Sequence, residues 1–254
     1  MTNFKHYKDT MILAVNRLFE HAPDLAKHYH LSGTMPITLV DCPMVCSYDV
    51  DLQSNEVLSE NHANKIWLNL RKGLGKHLSP GYVDPEFGNY RARLYIPEQK
   101  THVDVDILGA YEPLNNKDLR KSKIFKIPMF TMAKYLERKA ECISDRDEPK
   151  DWYHLASLEE NGVKITNSLQ KISSERIIES IQNAKKERKH IVKYAEQGIG
   201  MKGISIEKFY EKLSDYEKAA EKGYLGTCTE AQDILEILEN EDFQRNMNPE
   251  DFVF

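Results

Sequence analysis

The stretch SYDVDL, Ser47–Leu52, carries two aspartates two residues apart, Asp49 and Asp51, interleaved with Tyr48, Val50 and Leu52. In a β-strand, residues i and i+2 share a face. The spacing therefore predicts a strand that projects Asp49 and Asp51 together and turns Val50 and Leu52 toward a core. Two adjacent carboxylates repel each other and are costly to desolvate. They are tolerated at a solvated strand end, which is the structural reading. They are also tolerated where a hard divalent cation such as Mg2+ neutralises them through oxygen ligands, which is the chemical one.

A second stretch repeats the pattern. In THVDVDIL, Thr101–Leu108, Val103, Val105 and Ile107 alternate with His102, Asp104 and Asp106. If this strand neighbours the first, a third carboxylate joins the pair. Such a set can hold two Mg2+ ions, one on a triphosphate and one that lowers the pKa of an attacking hydroxyl. Asp49, Asp51 and Asp106 are the expected set, with Asp104 as the substitute for Asp106. Upstream, LSGT (Leu31–Thr34) sets a glycine among small hydroxyl residues. That composition lets backbone approach a phosphate and offer N–H donors, although the same residues make an ordinary turn. Downstream, KAECISDRDEPKDWYHL spaces Lys139, Cys142, Arg146, Lys150, Asp151 and His154 as a helix end, a tight turn and a new helix. Asp151 fits a first-turn acid. The functional alternative has Lys139 reaching a phosphate as a point charge and Asp151 orienting a base or a metal-bound water.

Around these stretches the expected organisation is α+β. Phe4–His21 has apolar residues at helical spacing, as do 61–76 and 130–143. Residues 89–96 and 101–108 alternate, and their short connection predicts a hairpin. Pro36 and Pro43 argue for strand pieces and loop over 34–45, and Ile124–Ile127 reads as a short strand ended by Pro128. From about Asp151 onward period-2 patterning nearly vanishes. Ile177, Ile178, Ile181, Ala184, Ile191, Val192 and Ala195 form one long helical stripe, Ser205 is an N-cap, and Thr227 with Glu230 fits a capping box. The expectation is a small mixed β-sheet domain flanked by helices over residues 1–155, with the acids at one sheet end, followed by an all-α helical bundle over 156–254.

Composition narrows the function classes. The 254 residues are 30% charged and 41% hydrophobic, as in a globular protein. No apolar run approaches the roughly 20 residues of a membrane helix, and the polar start MTNFKHYKDTM is unlike a signal peptide. Together these lead us to expect a cytoplasmic protein that does not contact membrane. Cys42, Cys46, Cys142 and Cys228 are too few and scattered for a disulfide framework, and no second pair completes a zinc site with Cys42 and Cys46. Net charge is −5, and residues 156–254 carry all of it, because 1–155 balance 21 acids with 21 bases. A global basic field for nucleic acid is absent, which leaves only a local patch for that role. The Gly198–Gly203 match to GxGxxG follows a helix instead of a strand and reads as a turn. Lys185, Lys186, Arg188, Lys189 and Lys193 read as a solvated face, and His28 and His30 are too isolated to be ligands.

Taken in order, the SGT turn, SYDVDL, VDVDIL and Lys139-x6-Arg146-x3-Lys150-Asp151 resemble the AbiEii-like nucleotidyltransferases, over roughly residues 5–160. These are the toxin partners of type IV toxin–antitoxin pairs, within the polymerase-β-like superfamily. Their pattern is a Gly-Gly-Thr or Gly-Ser turn, a Ser-x-Asp-x-Asp strand, a later strand aspartate, and Lys-x2-Ala-x3-Arg-x3-Lys-Asp-x2-Asp. The resemblance implies transfer of a nucleoside monophosphate from a nucleoside triphosphate to an acceptor, RNA or protein, with Mg2+ or Mn2+ as cofactor and a protein antitoxin as possible partner. It implies Asp49, Asp51 and a third strand acid, Asp106 or Asp104, as metal ligands, and Asp49, Asp51, Asp106, Lys139 and Asp151 as catalytic residues. It implies Ser32, Gly33, Thr34, Ser47, Lys139 and Lys150 at the nucleotide. Three positions depart from the pattern: Ser32-Gly33 in the turn, Cys142 for the usual Ala, and His154 for the last Asp. The His154 exchange removes a carboxylate and keeps open an impaired enzyme that binds a nucleotide or a partner. A structural protein with solvated acids is the third reading.

Overall fold

The computed structural model describes residues 4–42, 47, 49–197 and 204–227. Helix α1 (Phe4–His21) and the single turn α2 (Leu25–His28) lead into strand β1 (Tyr29–Leu31), then α3 (Met35–Val40) and β2 (Asp49–Ser54). Helix α4 (Glu60–Leu74) precedes three strands, β3 (Leu78–Asp84), β4 (Asn89–Ile96) and β5 (Thr101–Leu108). Short strands β6 (Leu119–Lys121) and β7 (Pro128–Phe130) follow, then α5 (Met132–Asp145), α6 (Pro149–Glu160) and α7 (Thr166–Leu169). The last described helices are α8 (Ser174–Lys186), α9 (Arg188–Gln197) and α10 (Ile206–Glu221).

The strands make one seven-stranded mixed sheet in the order β3-β4-β5-β2-β1-β7-β6. β2 is central and runs parallel to β5, while β4 and β5 form the expected antiparallel hairpin. Burial alternates strictly along β2: Val50 and Leu52 are buried, and Asp49 and Asp51 lie on the opposite face. In the same way β4 and β5 bury Tyr90, Ala92, Leu94, Val103, Val105 and Ile107. The buried face packs under α1 and α4, where Trp67 stacks on Tyr90 at 5.1 Å between ring centroids. The other face keeps its polar side chains.

In the helical part, α6 sits among α5, α8, α9 and α10. It is buried from Asp151 to Leu158, as a helix enclosed on all sides must be. Its polar atoms find partners: Trp152 Nε1 donates to Ser180 Oγ at 3.0 Å, and the Tyr153 hydroxyl donates to the Ile204 carbonyl at 2.8 Å. Side-chain caps start α4 (Ser59), α5 (Thr131), α8 (Ser173) and α10 (Ser205), the last as the sequence indicated.

Three local expectations are corrected. Met35–Val40 is a helix, because Pro36 stands in its first turn, where a missing N–H costs nothing. The short strand lies at Pro128–Phe130 and not at Ile124–Ile127; Pro128 begins it, a position where proline is tolerated. The stripe from Ile177 to Ala195 is two helices, broken at Glu187. Strand β3 was missed altogether: it holds Pro80 and Gly81, tolerable because it is an edge strand with a register shift between Pro80 and Val83. The Gly198–Gly203 turn, the Thr227–Glu230 capping box as a pair, Cys46 and Cys228 lie outside the described residues. Cys42 and Cys142 are free thiols.

Because β2 is the hub of the sheet, truncating its core face should be costly. Leu52→Ala is expected to lower unfolding free energy by about 2–5 kcal/mol, read from urea denaturation. A loss below about 1 kcal/mol would mean that Leu52 is not packed as described.

Candidate active site

The parallel register of β2 with β5 places Asp49 opposite Asp104 and Asp51 opposite Asp106. All four carboxylates share the open face of the sheet. Asp51 is the most enclosed. Burial, then the charges of Asp49 and Asp106, raise its pKa to about 7, against the pull of Lys139 and Lys150. Asp49 is also raised, mainly by burial, with Lys150 acting against the shift. The Ser47 hydroxyl donates to the Asp49 carboxylate, and the Tyr7 hydroxyl donates to the Ser47 carbonyl at 3.0 Å.

The Ser32–Thr34 turn lies directly against this pair. The Ser32 N–H donates to the Asp51 carbonyl at 2.9 Å, extending the β1–β2 pairing by one bond. Gly33 has φ +69°, and a Cβ built on it would fall 1.8 Å from Asp51 Oδ2. No side chain fits between that backbone and the carboxylate, so glycine is required twice over. Thr34 is buried, with its hydroxyl 3.1 Å from the Tyr135 hydroxyl and 3.4 Å from His154 Nδ1.

Behind the turn lies an ion cluster built by α5 and α6. Lys139 Nζ donates to Asp151 Oδ1 at 2.6 Å, and Arg146 Nε donates to Oδ2 at 3.1 Å. The Asp151 side chain is fully buried. Burial alone would raise its pKa, but the Lys139 charge and hydrogen bond outweigh that, and the carboxyl titrates below its ordinary range. His154 is buried, and burial together with the Lys139 charge holds its pKa well below the usual value, so the ring is neutral at pH 7. Lys139 also sits 5.7 Å from the Tyr135 ring centroid. Lys150 pairs with Glu148 at 2.7 Å on the surface.

The structure thus brings Asp49, Asp51, Asp106, Gly33 and Thr34 together, with Lys139 and His154 behind them. Asp151 is held inside, where it positions Lys139 and Arg146. Asp104 is more exposed than Asp106 and pairs with Arg93 at 3.0 Å. Sequence reasoning missed Arg91, which binds Asp106 through two hydrogen bonds, and Tyr135, which reaches Thr34. The hairpin register was the available signal for Arg91, since Arg91 faces Asp106 across it. Nothing in the local pattern announces Tyr135. Among the described residues, no three His, Cys, Asp or Glu side chains already converge as a metal shell. The donor chemistry of Asp49 and Asp51 nevertheless fits a hard cation: two enclosed, neighbouring carboxylates whose pKa values burial raises.

No family model and no curated protein sequence matches the chain. Among solved structures, JHP933 from Helicobacter pylori is similar at a TM-score of 0.51 and 12% identity, over 90% of this chain and 98% of that one. That likeness shows a shared α+β fold along nearly the whole length of both. A second H. pylori structure, assigned as a nucleotidyltransferase, has a TM-score of 0.48 and 11% identity over 86% of this chain and 94% of its own. MenT4, a nucleotidyltransferase toxin of Mycobacterium tuberculosis, has 0.41 and 9% over 68% and 64%. Among the described residues, no helix is long and apolar enough to cross a membrane.

Two outcomes follow from the electrostatics. Asp151→Ala leaves Lys139 buried without its anion and should cost about 3–5 kcal/mol, as breaking a buried pair does. Because the Asp151 pKa is depressed, its contribution is full above the unfolded carboxylate value and disappears as pH falls through the folded one. Asp51 has the opposite sign. Its raised pKa makes the folded protein lose stability as pH climbs from the unfolded value toward about 7. Asp51→Asn should therefore raise the melting temperature at pH 8 without divalent cations and leave it nearly unchanged at pH 4. A variant that melts lower than wild type at pH 8 would contradict this assignment.

Proposed function

We propose that this protein is a nucleotidyltransferase that transfers a nucleoside monophosphate from a nucleoside triphosphate to an acceptor hydroxyl. The observation that carries the reading is the register of β2 with β5. It sets Asp49, Asp51 and Asp106 on one open face, with the backbone of Gly33 pressed against Asp51. The order of motifs along the chain and the shared α+β fold support it. Mg2+ or Mn2+ held by Asp49, Asp51 and Asp106 would supply charge neutralisation at the phosphates and a lowered pKa for the attacking hydroxyl.

The chain's own residues do the rest. The Ser32–Thr34 turn brings backbone beside the carboxylates, where phosphate oxygens would lie, and Tyr135 and His154 brace it from behind through Thr34. Lys139, fixed by Asp151, contributes a positive field at Asp51 that favours an incoming triphosphate. Ser47 holds the Asp49 carboxylate. In this reading His154 is a neutral brace. The missing carboxylate of the resembled motif leaves Asp49, Asp51 and Asp106 in place. Attack of the acceptor oxygen on the α-phosphorus expels pyrophosphate. The acceptor is RNA or protein, residues 156–254 help to hold it, and a toxin-type role with a protein antitoxin completes the proposal.

The test is incorporation of label from each α-labelled nucleoside triphosphate, with Mg2+ or Mn2+, into total RNA and protein. Wild type should incorporate label, and Asp49→Asn should fall to background while keeping a cooperative melting transition. An Asp49→Asn variant with full transfer removes Asp49 from the site. No label from wild type, with a melting temperature that rises with nucleotide, would instead identify a binding module.

A further inference from the structure

Arg91 and Arg93 project from β4 onto the face that carries the acids. Arg91 Nε lies 2.7 Å from Asp106 Oδ1 and Nη2 lies 2.8 Å from Oδ2, a bidentate pair. Arg93 makes a single hydrogen bond to Asp104. The two acids differ: Asp106 is 18% exposed and stands beside Asp51, whereas Asp104 is 57% exposed. Arg91 itself is 66% exposed and, like Arg93, lines a cleft of about 550 Å³ with Asp49, Asp104 and Asp106, but only Arg91 pairs with the enclosed Asp106. An exposed guanidinium loses little when such a pair opens, about a few-fold in an equilibrium constant. For Asp106 to join Asp49 and Asp51 on a cation, the fork must let go of it.

We propose that Arg91 is the internal counter-ion of Asp106, that a divalent cation displaces it, and that the released guanidinium then binds a phosphate oxygen of the nucleotide in the same cleft. This inference rests on the nucleotidyltransferase reading and adds a coupling to it. A carboxylate close to other carboxylates needs a cation, and Arg91 supplies one unit of charge from the side. A divalent ion supplies two and serves Asp49 and Asp51 as well. Once freed, Arg91 presents a planar fork of N–H donors to the cleft, the geometry that suits phosphate. Metal and nucleotide therefore favour each other's binding through this side chain as well as through the cation's own contact with the phosphates, and the coupling is reciprocal.

The measurement is Mn2+ titration of the full chain by electron paramagnetic resonance, with and without a nucleoside triphosphate carrying an α,β-methylene bridge. Arg91→Gln should bind Mn2+ alone about three- to fivefold tighter than wild type, the scale of an exposed ion pair. It should also lose about three- to fivefold of the tightening that the nucleotide analogue gives wild type, with the share from direct metal–phosphate contact kept. Arg93→Gln should stay within about twofold of wild type in both respects. Wild type that binds Mn2+ while Arg91→Gln binds it equally or more weakly overturns the counter-ion role and leaves the proposed function standing. Wild type that binds neither Mn2+ nor the analogue overturns both. If Arg91→Gln does not fold, Arg91→Met removes the same charge and fork with a stem of similar length, and the same two expectations and the same overturning result apply to it.

Discussion

The parallel pairing of β2 with β5 is the constraint on which the rest of the molecule hangs. A strand has a period of two, so one register sends Val50, Leu52, Val103, Val105 and Ile107 to the core and Asp49, Asp51, Asp104 and Asp106 to the open face. A slip of β2 by one residue would bury Asp49 and Asp51 and expose Val50 and Leu52, and a slip of β5 would bury Asp104 and Asp106 and expose its three apolar side chains. Burying the apolar set thus enforces the proximity of acids that would otherwise repel each other. The hydrophobic energy of one face holds the electrostatic tension of the other.

That tension is distributed unevenly. Asp106 and Asp104 have arginines at their sides, whereas Asp51 rests against the Gly33 backbone and feels Lys139 and Lys150 only through space. Its raised pKa is the signature of a carboxylate crowded by burial and by other acids, an arrangement enriched at functional sites. Behind it, Lys139, Asp151 and Arg146 form a satisfied buried cluster that ties α5 to α6. The neutral His154 ring and the Tyr135 hydroxyl meet at Thr34. The Ser32–Thr34 turn is therefore anchored to the helical part by hydrogen bonds, so α5 and α6 set the position of Gly33 as well as packing against each other.

The alternating runs at β2, β4 and β5 and the apolar spacing of α1, α4 and α5 were readable because each has one buried face, and burial imposes its period on the residues. β3 was not readable. As an edge strand it buries little, tolerates Pro80 and Gly81, and so carries no pattern. Met35–Val40 misled in the opposite way, since a proline that interrupts a helix interior is acceptable in its first turn. The break at Glu187 left no mark either, because the apolar spacing continues across it.

The linear sequence determined that Asp49 and Asp51 share a face, as do Asp104 and Asp106, since two-residue spacing on a strand permits nothing else. It also determined the long helices α1, α4, α5 and α10 and where several helices start. Only the tertiary structure decided that β5 lies next to β2, that Asp106 and not Asp104 is the enclosed third acid, and that Arg91 holds it. It likewise decided that Asp151 faces Lys139 within the protein and that His154 reaches Thr34. The physical reason is range: local periodicity is written within a few residues, whereas these contacts join positions 12 to 120 residues apart and are settled by which apolar faces meet in the core.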